Sequence, residues 1–160
     1  MPGLARLNAL PAEDAVAVLL GCCSAPGWAR RVAGKRPFGS VDDLLTAADA
    51  AWAARTPDEL EAAMAGHPRI GERGLSAQSR QEQAAVGSDA GTIQALRDAN
   101  AAYEDRFGHV FLICATGLSA DDILASLRDR LTNDERTERA VVREELRKIA
   151  ALRLRKLVRA

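Results

Sequence analysis

Hydrophobic residues recur along this chain at intervals of three and four, the spacing that lines one face of a helix. From Ala12 to Cys23 the set Ala15, Val16, Leu19, Leu20 and Cys23 keeps that period, and Pro26-Gly27 is expected to end the run. A short helix is expected over Trp28 to Val32, before a loop from Gly34 to Gly39. Ser40 is placed to cap a helix carrying Val41, Leu44, Leu45, Ala48 and Trp52, with Asp43 three residues on as a weaker form of the capping box. Thr56-Pro57 gives a cap followed by proline at the first helical position, and Gly66 closes the short helix Pro57 to Ala65.

His67-Pro68 follows at once. A residue before proline is pushed out of the helical region, so His67 is expected on extended backbone just past a helix end. Ile70 to Leu75 reads as a loop and Ser76 to Val86 as a helix. After a break at Gly87 to Gly91, another helix runs to Phe107 and stops at Gly108. Val110 to Ala115 is apolar enough for a strand, but no second strand exists to pair with it. An extended or irregular segment buried among helices is the expectation. Ser119 and Asp122 open a helix with Ile123, Leu124, Leu127 and Leu131, and Asp134 to Val158 forms the last and longest helix. The expected fold is all-α: a compact, single-domain bundle over residues 1–160 with about seven to nine helices.

Composition narrows the function. Lys plus Arg and Asp plus Glu both number 22, so no overall charge steers the chain toward nucleic acid or an anionic membrane. Aromatic residues make up 4%, too few for a base-stacking surface. Cys22, Cys23 and Cys114 are an odd count with an adjacent pair, which points to a reducing, cytoplasmic setting. No stretch of ~20 apolar residues is present to span a bilayer, and no cationic leader opens the chain.

The candidate chemistry lies where a polar residue interrupts an apolar stripe. In the last helix Val142, Leu146, Ile149, Arg153 and Leu157 share a face, so Arg153 points with the core residues. Either it snorkels along the surface, the reading that pattern alone slightly favours, or its fork of donors binds a carboxylate or imide oxygen. Ser79, Glu82, Gln83 and Val86 share another face, which is either solvated or turned toward a urea-like ligand. Asn100 interrupts the stripe Ile93, Leu96, Tyr103 and Phe107 and reads as a structural hydrogen-bonding residue. Of the two histidines, His67 is the candidate for acid/base work, whereas His109 reads as structural or surface. No HExxH or CxxC motif, dinucleotide fingerprint or nucleophile elbow occurs, and no metal site is expected.

HPRIG at His67 to Gly71, SRQEQ at Ser79 to Gln83, NAAYEDRFGHVFLICATG from Asn100 to Gly117 and ELRKIAALRLRKL from Glu145 to Leu157 together resemble the 2-oxo-4-hydroxy-4-carboxy-5-ureidoimidazoline (OHCU) decarboxylase family. RPF at Arg36 to Phe38 is similar to its N-terminal part. The resemblance implies an all-helical carboxy-lyase of urate degradation that is commonly dimeric and needs no metal or organic cofactor. Its product would be (S)-allantoin, with loss of carbon dioxide. By resemblance, His67 is the catalytic general acid, Pro68 lines the site, and Glu82 is the essential carboxylate. Ser79, Arg80, Gln81, Glu82 and Gln83 form the ligand-contacting helix. Phe111, Leu112, Ile113, Cys114 and Ala115 contact substrate through their backbone, and Arg153 is the arginine of the last helix. The chain departs from the family pattern where Ala84-Ala85-Val86-Gly87 delays a glycine, without losing a chemical group. The partner implied is a small ureidoimidazoline, with neither nucleic acid nor membrane. Two other readings are a related ureide-processing enzyme using the same pocket for hydrolysis or tautomerisation, and a non-catalytic helical interaction domain. The latter should expose an apolar patch and lack an enclosed polar pocket.

Overall fold

The computed structural model describes residues 2–67 and 90–159, and every described segment of regular structure is helical. Eight helices occur among these residues: α1 (Pro2–Ala9), α2 (Ala12–Leu20), α3 (Pro26–Ala33), α4 (Val41–Ala53), α5 (Pro57–Ala65), α6 (Ala90–Phe107), α7 (Ala120–Arg130) and α8 (Glu135–Val158). The all-α expectation therefore holds, and the eight helices of the described residues fall within the expected seven to nine. The loop expected over Ile70 to Leu75 and the helix over Ser76 to Val86 lie outside the described residues.

The caps act as their residue types dictate. Ser40 Oγ accepts from the Asp43 N–H at 3.1 Å. Thr56 and Glu59 form a full capping box, as do Ser119 and Asp122. Asp134 Oδ1 accepts from the Thr137 N–H at 2.7 Å, and this bond lowers the Asp134 carboxyl pKa. Two helix ends and one whole helix differ from expectation. Pro26 and Gly27 begin α3 rather than merely ending α2, because proline without an N–H fits the first helical turn. Helix α2 stops at Leu20, and Cys22 and Cys23 instead donate their N–H groups to the Leu19 carbonyl. Helix α1 has no counterpart among the expected helices. Its last carbonyls are satisfied from a distance: Arg36 Nη1 donates to Leu7 O at 2.9 Å and to Leu10 O at 2.7 Å.

The chain packs as two compact units. The first comprises Met1–Gly66 and Leu146–Ala160. Within it α3 lies against α2, α4 and α5, burying Trp28, Ala29 and Val32. Trp28 also places its indole N–H on the Ala48 carbonyl of α4 at 3.1 Å, so its polar edge is satisfied inside the core. Arg31 clamps α3 to two neighbours. Its Nη1 and Nη2 reach the two Glu59 carboxylate oxygens of α5 at 2.9 and 2.8 Å, and Nη2 also donates to Ala51 O of α4 at 2.7 Å. That fork holds the Glu59 carboxyl below its usual pKa.

The second unit is His67–Glu145. Its apolar core joins Leu96 and Tyr103 of α6, Phe111 and Ala115 of the following segment, and Ile123, Leu124 and Leu127 of α7. Helix α8 begins in this unit and continues into the first.

Candidate active site

His67 emerges directly from the end of α5. The Ser24 hydroxyl donates to the Ala62 carbonyl in the last turn at 2.8 Å, which helps define where that helix ends. Gly66 closes it with φ −78° and ψ −1°, an ordinary right-handed conformation. His67 itself is outside the helix, as its position before Pro68 leads one to expect, and it is half-buried. Pro68, Ser79, Arg80, Gln81, Glu82 and Gln83 lie outside the described residues.

The segment Val110 to Ala115 is neither helix nor strand, as expected. Gly108 and Gly117 bracket it with φ of +79° and +82°, a left-handed conformation that residues with a Cβ seldom adopt. Phe111, Leu112 and Ala115 are buried, while Ile113 and Cys114 are half-buried. Tyr103 packs edge-on to Phe111, with ring centroids 5.2 Å apart, and edge-on to His109 at 5.4 Å. His109 thus joins an aromatic cluster, in keeping with its structural reading.

A segment with no neighbouring strand must satisfy its peptide groups otherwise. Here two charged side chains do so. Arg130 Nη1 donates to Leu112 O at 2.6 Å, and Glu145 Oε1 accepts from the Cys114 N–H at 3.0 Å. Arg130 also donates through Nε and Nη2 to Glu138 Oε2, at 2.9 and 2.5 Å. Glu138 has 0% exposure, yet its carboxylate further accepts from the Tyr103 hydroxyl and from Asn133 Nδ2. Burial first, and Glu138 second, push the Tyr103 phenol well above its ordinary pKa. None of Arg130, Glu138 or Glu145 was singled out from sequence, although the signal was present. Arg130 continues the buried stripe Ile123 and Leu127, and Glu138 stands four residues before Val142.

Arg153 is 8% exposed, which corrects the snorkelling reading: the side chain follows the buried stripe of α8. Within the first unit its charge is felt by Cys23, whose thiol is nevertheless pushed up to about 11, chiefly by burial. A thiol so protonated is no nucleophile at neutral pH. Asn100 is buried, as a structural reading requires, and its Oδ1 has no hydrogen-bond partner among the described residues. Phe111 to Ala115 thus form one built segment. His67 belongs to the same unit, and Arg153 to the first. Among the described residues no group of His, Cys, Asp or Glu is arranged to hold a metal ion, and no helix is long and apolar enough to cross a membrane.

The family model for OHCU decarboxylase matches residues 8–155. A 2-oxo-4-hydroxy-4-carboxy-5-ureidoimidazoline decarboxylase of Amia calva is 34% identical over 131 residues, covering 77% of this chain and 75% of that protein. One from Halalkalicoccus jeotgali is also 34% identical, over 140 residues, covering 82% of this chain and 77% of its own. A crystal structure of an OHCU decarboxylase in the presence of (S)-allantoin superposes with a TM-score of 0.76 at 27% identity, covering 87% of this chain and 95% of the other. A family match running through nearly the whole chain, joined by relatives alike in both sequence and fold, means that this chain belongs to the OHCU decarboxylase family.

Proposed function

We propose that the protein converts OHCU to (S)-allantoin and carbon dioxide in urate degradation, without a metal or organic cofactor. The observation that carries this reading is the family match across residues 8–155. The chemistry suits unaided side chains. When the carbon–carbon bond to the carboxylate breaks, carbon dioxide leaves and the electron pair stays on the ring carbon. The adjacent imine-like or carbonyl-like system delocalises that pair, so no pyridoxal or thiamine sink is needed. The hydroxyl-bearing carbon becomes the ring carbonyl as its O–H proton leaves, and the neighbouring ureido-bearing carbon takes a proton on one face, which fixes the handedness of allantoin.

His67 supplies that proton, because an imidazole exchanges protons near neutral pH. Glu82 hydrogen-bonds the ureido or ring N–H groups and orients His67. Pro68 lines the site, and the Ser79 to Gln83 helix contributes further ligand contacts. Arg153 holds the carboxylate or a ring oxygen through its planar fork; its burial supports a ligand-directed role over a solvated one. Backbone groups of Phe111 to Ala115 face the developing charge, where fixed donors act without reorganisation. The protein works as a cytoplasmic homodimer in this reading.

The test is turnover of freshly generated OHCU, followed as carbon dioxide release. His67→Asn is expected to keep a helical circular-dichroism spectrum and slow turnover by roughly 10²- to 10⁴-fold. Arg153→Lys keeps the charge but loses the bidentate fork, and should raise KM more than it lowers kcat. Near-wild-type turnover by folded His67→Asn would remove His67 from the mechanism.

A further inference from the structure

The buried charges around Phe111 to Ala115 exceed what helix packing needs. An ion pair taken out of water is seldom a net gain over well-packed apolar residues, so its presence asks for another reason. Arg130 is 6% exposed and Glu138 0%, and both are fully engaged. The guanidinium spends Nε and Nη2 on Glu138 and Nη1 on the Leu112 carbonyl. Its Cζ lies 4.4 Å from the Phe111 ring centroid and 5.8 Å from that of Tyr103. Tyr103 and Asn133 in turn donate to Glu138, fixing the carboxylate that fixes the arginine. Two residues further along the segment, Glu145 takes the Cys114 N–H at 3.0 Å.

The C=O and N–H of one planar trans peptide unit point in opposite directions. Anchoring residues 112 and 114 therefore directs the N–H and C=O of Ile113 the other way. No hydrogen bond among the described residues uses those groups of half-buried Ile113. We propose that the Arg130–Glu138–Tyr103 cluster and Glu145 form a positioning device. It fixes the backbone of Phe111 to Ala115 so that the Ile113 peptide groups meet the substrate. None of the four side chains needs to touch the substrate; each acts through the segment. The proposal rests on the reading above, in which this segment contacts OHCU.

The test uses the full-length protein and separates the two claims. R130M/E138Q removes both buried charges together, and the amide that replaces the carboxylate can still accept from Tyr103. Glu145→Gln keeps an acceptor for Cys114, whereas Glu145→Ala does not. Amide NMR reads the segment without substrate, calorimetry reads (S)-allantoin binding, and steady-state kinetics read turnover. R130M/E138Q and Glu145→Ala should stay helical, shift the Ile113 and Cys114 amide resonances, and raise KM and the (S)-allantoin Kd about tenfold, or about 1.4 kcal/mol. Their kcat should change little, and Glu145→Gln should restore wild-type values. Unmoved Ile113 and Cys114 resonances in both folded variants would overturn the device. Moved resonances with wild-type KM and Kd would overturn its role in binding. Should R130M/E138Q not fold, the Glu145 pair decides alone. A wild-type protein that neither turns over OHCU nor binds (S)-allantoin would instead sink the proposed function, and the resonances would still decide whether the device exists.

Discussion

Arg130 and Arg153 both stand where helical periodicity asks for an aliphatic side chain, and both are buried. Only Arg153 stands out in the sequence, because its stripe of aliphatic neighbours is long. Arg130 comes at the last residue of its helix, where a basic residue also suits the dipole and draws no attention. Its role becomes legible only with Glu138 and the Leu112 carbonyl in view. Removing one partner strands the other charge in the core. Arg130→Met should therefore cost about 3–5 kcal/mol in a urea melt, and R130M/E138Q should recover most of that loss. A double variant no more stable than the single one would show that the pair is not the coupled unit described. Asn100 teaches the opposite lesson. A polar residue inside an apolar stripe is rightly expected to be buried, but here one of its polar atoms, Oδ1, is left without a partner among the described residues.

Helices are legible wherever a cap announces them. Ser40, Thr56 and Ser119 each bind the N–H three residues on, as their side-chain oxygens allow. Helix α1 escapes notice because its first residues, Pro2 and Gly3, read as punctuation and its partner Arg36 lies far along the chain. Similarly, Pro26-Gly27 reads equally well as the stop of one helix and the start of the next. Long-range side-chain bonds of this kind leave no local mark in sequence. The docking of α5 on α3 through Arg31 and Glu59 is another, and it makes stability depend on pH. The Glu59 carboxyl is held below its ordinary value, chiefly by the Arg31 hydrogen bonds. Its stabilisation is present above the unfolded glutamate pKa, about 4.3, and is lost as pH falls through the folded value. Glu59→Gln should therefore lower Tm most at pH 7, and the gap to wild type should shrink below about pH 4. A gap independent of pH would show that the carboxylate charge contributes nothing there.

At the scale of the molecule, the all-helical fold follows from periodicity and from the lack of any strand partner for Val110 to Ala115. The candidate site is legible unevenly. Side chains that break a pattern, such as His67 and Arg153, stand out. The charged groups supporting the backbone of Leu112 and Cys114 do not, because what they hold is peptide, which has the same chemistry at nearly every position. Ser79 to Gln83, with Glu82 among them, are recognised by resemblance and lie outside the described residues. The central claim is stereospecific decarboxylation by side chains alone. It is tested most directly by adding the metal-stripped protein to freshly generated OHCU, with chelator present, and following the optical activity of the allantoin formed. The account predicts fast carbon dioxide release and a product that is almost entirely the (S) enantiomer. Allantoin without enantiomeric excess, formed no faster than by spontaneous decay and rescued only by added metal, would contradict it.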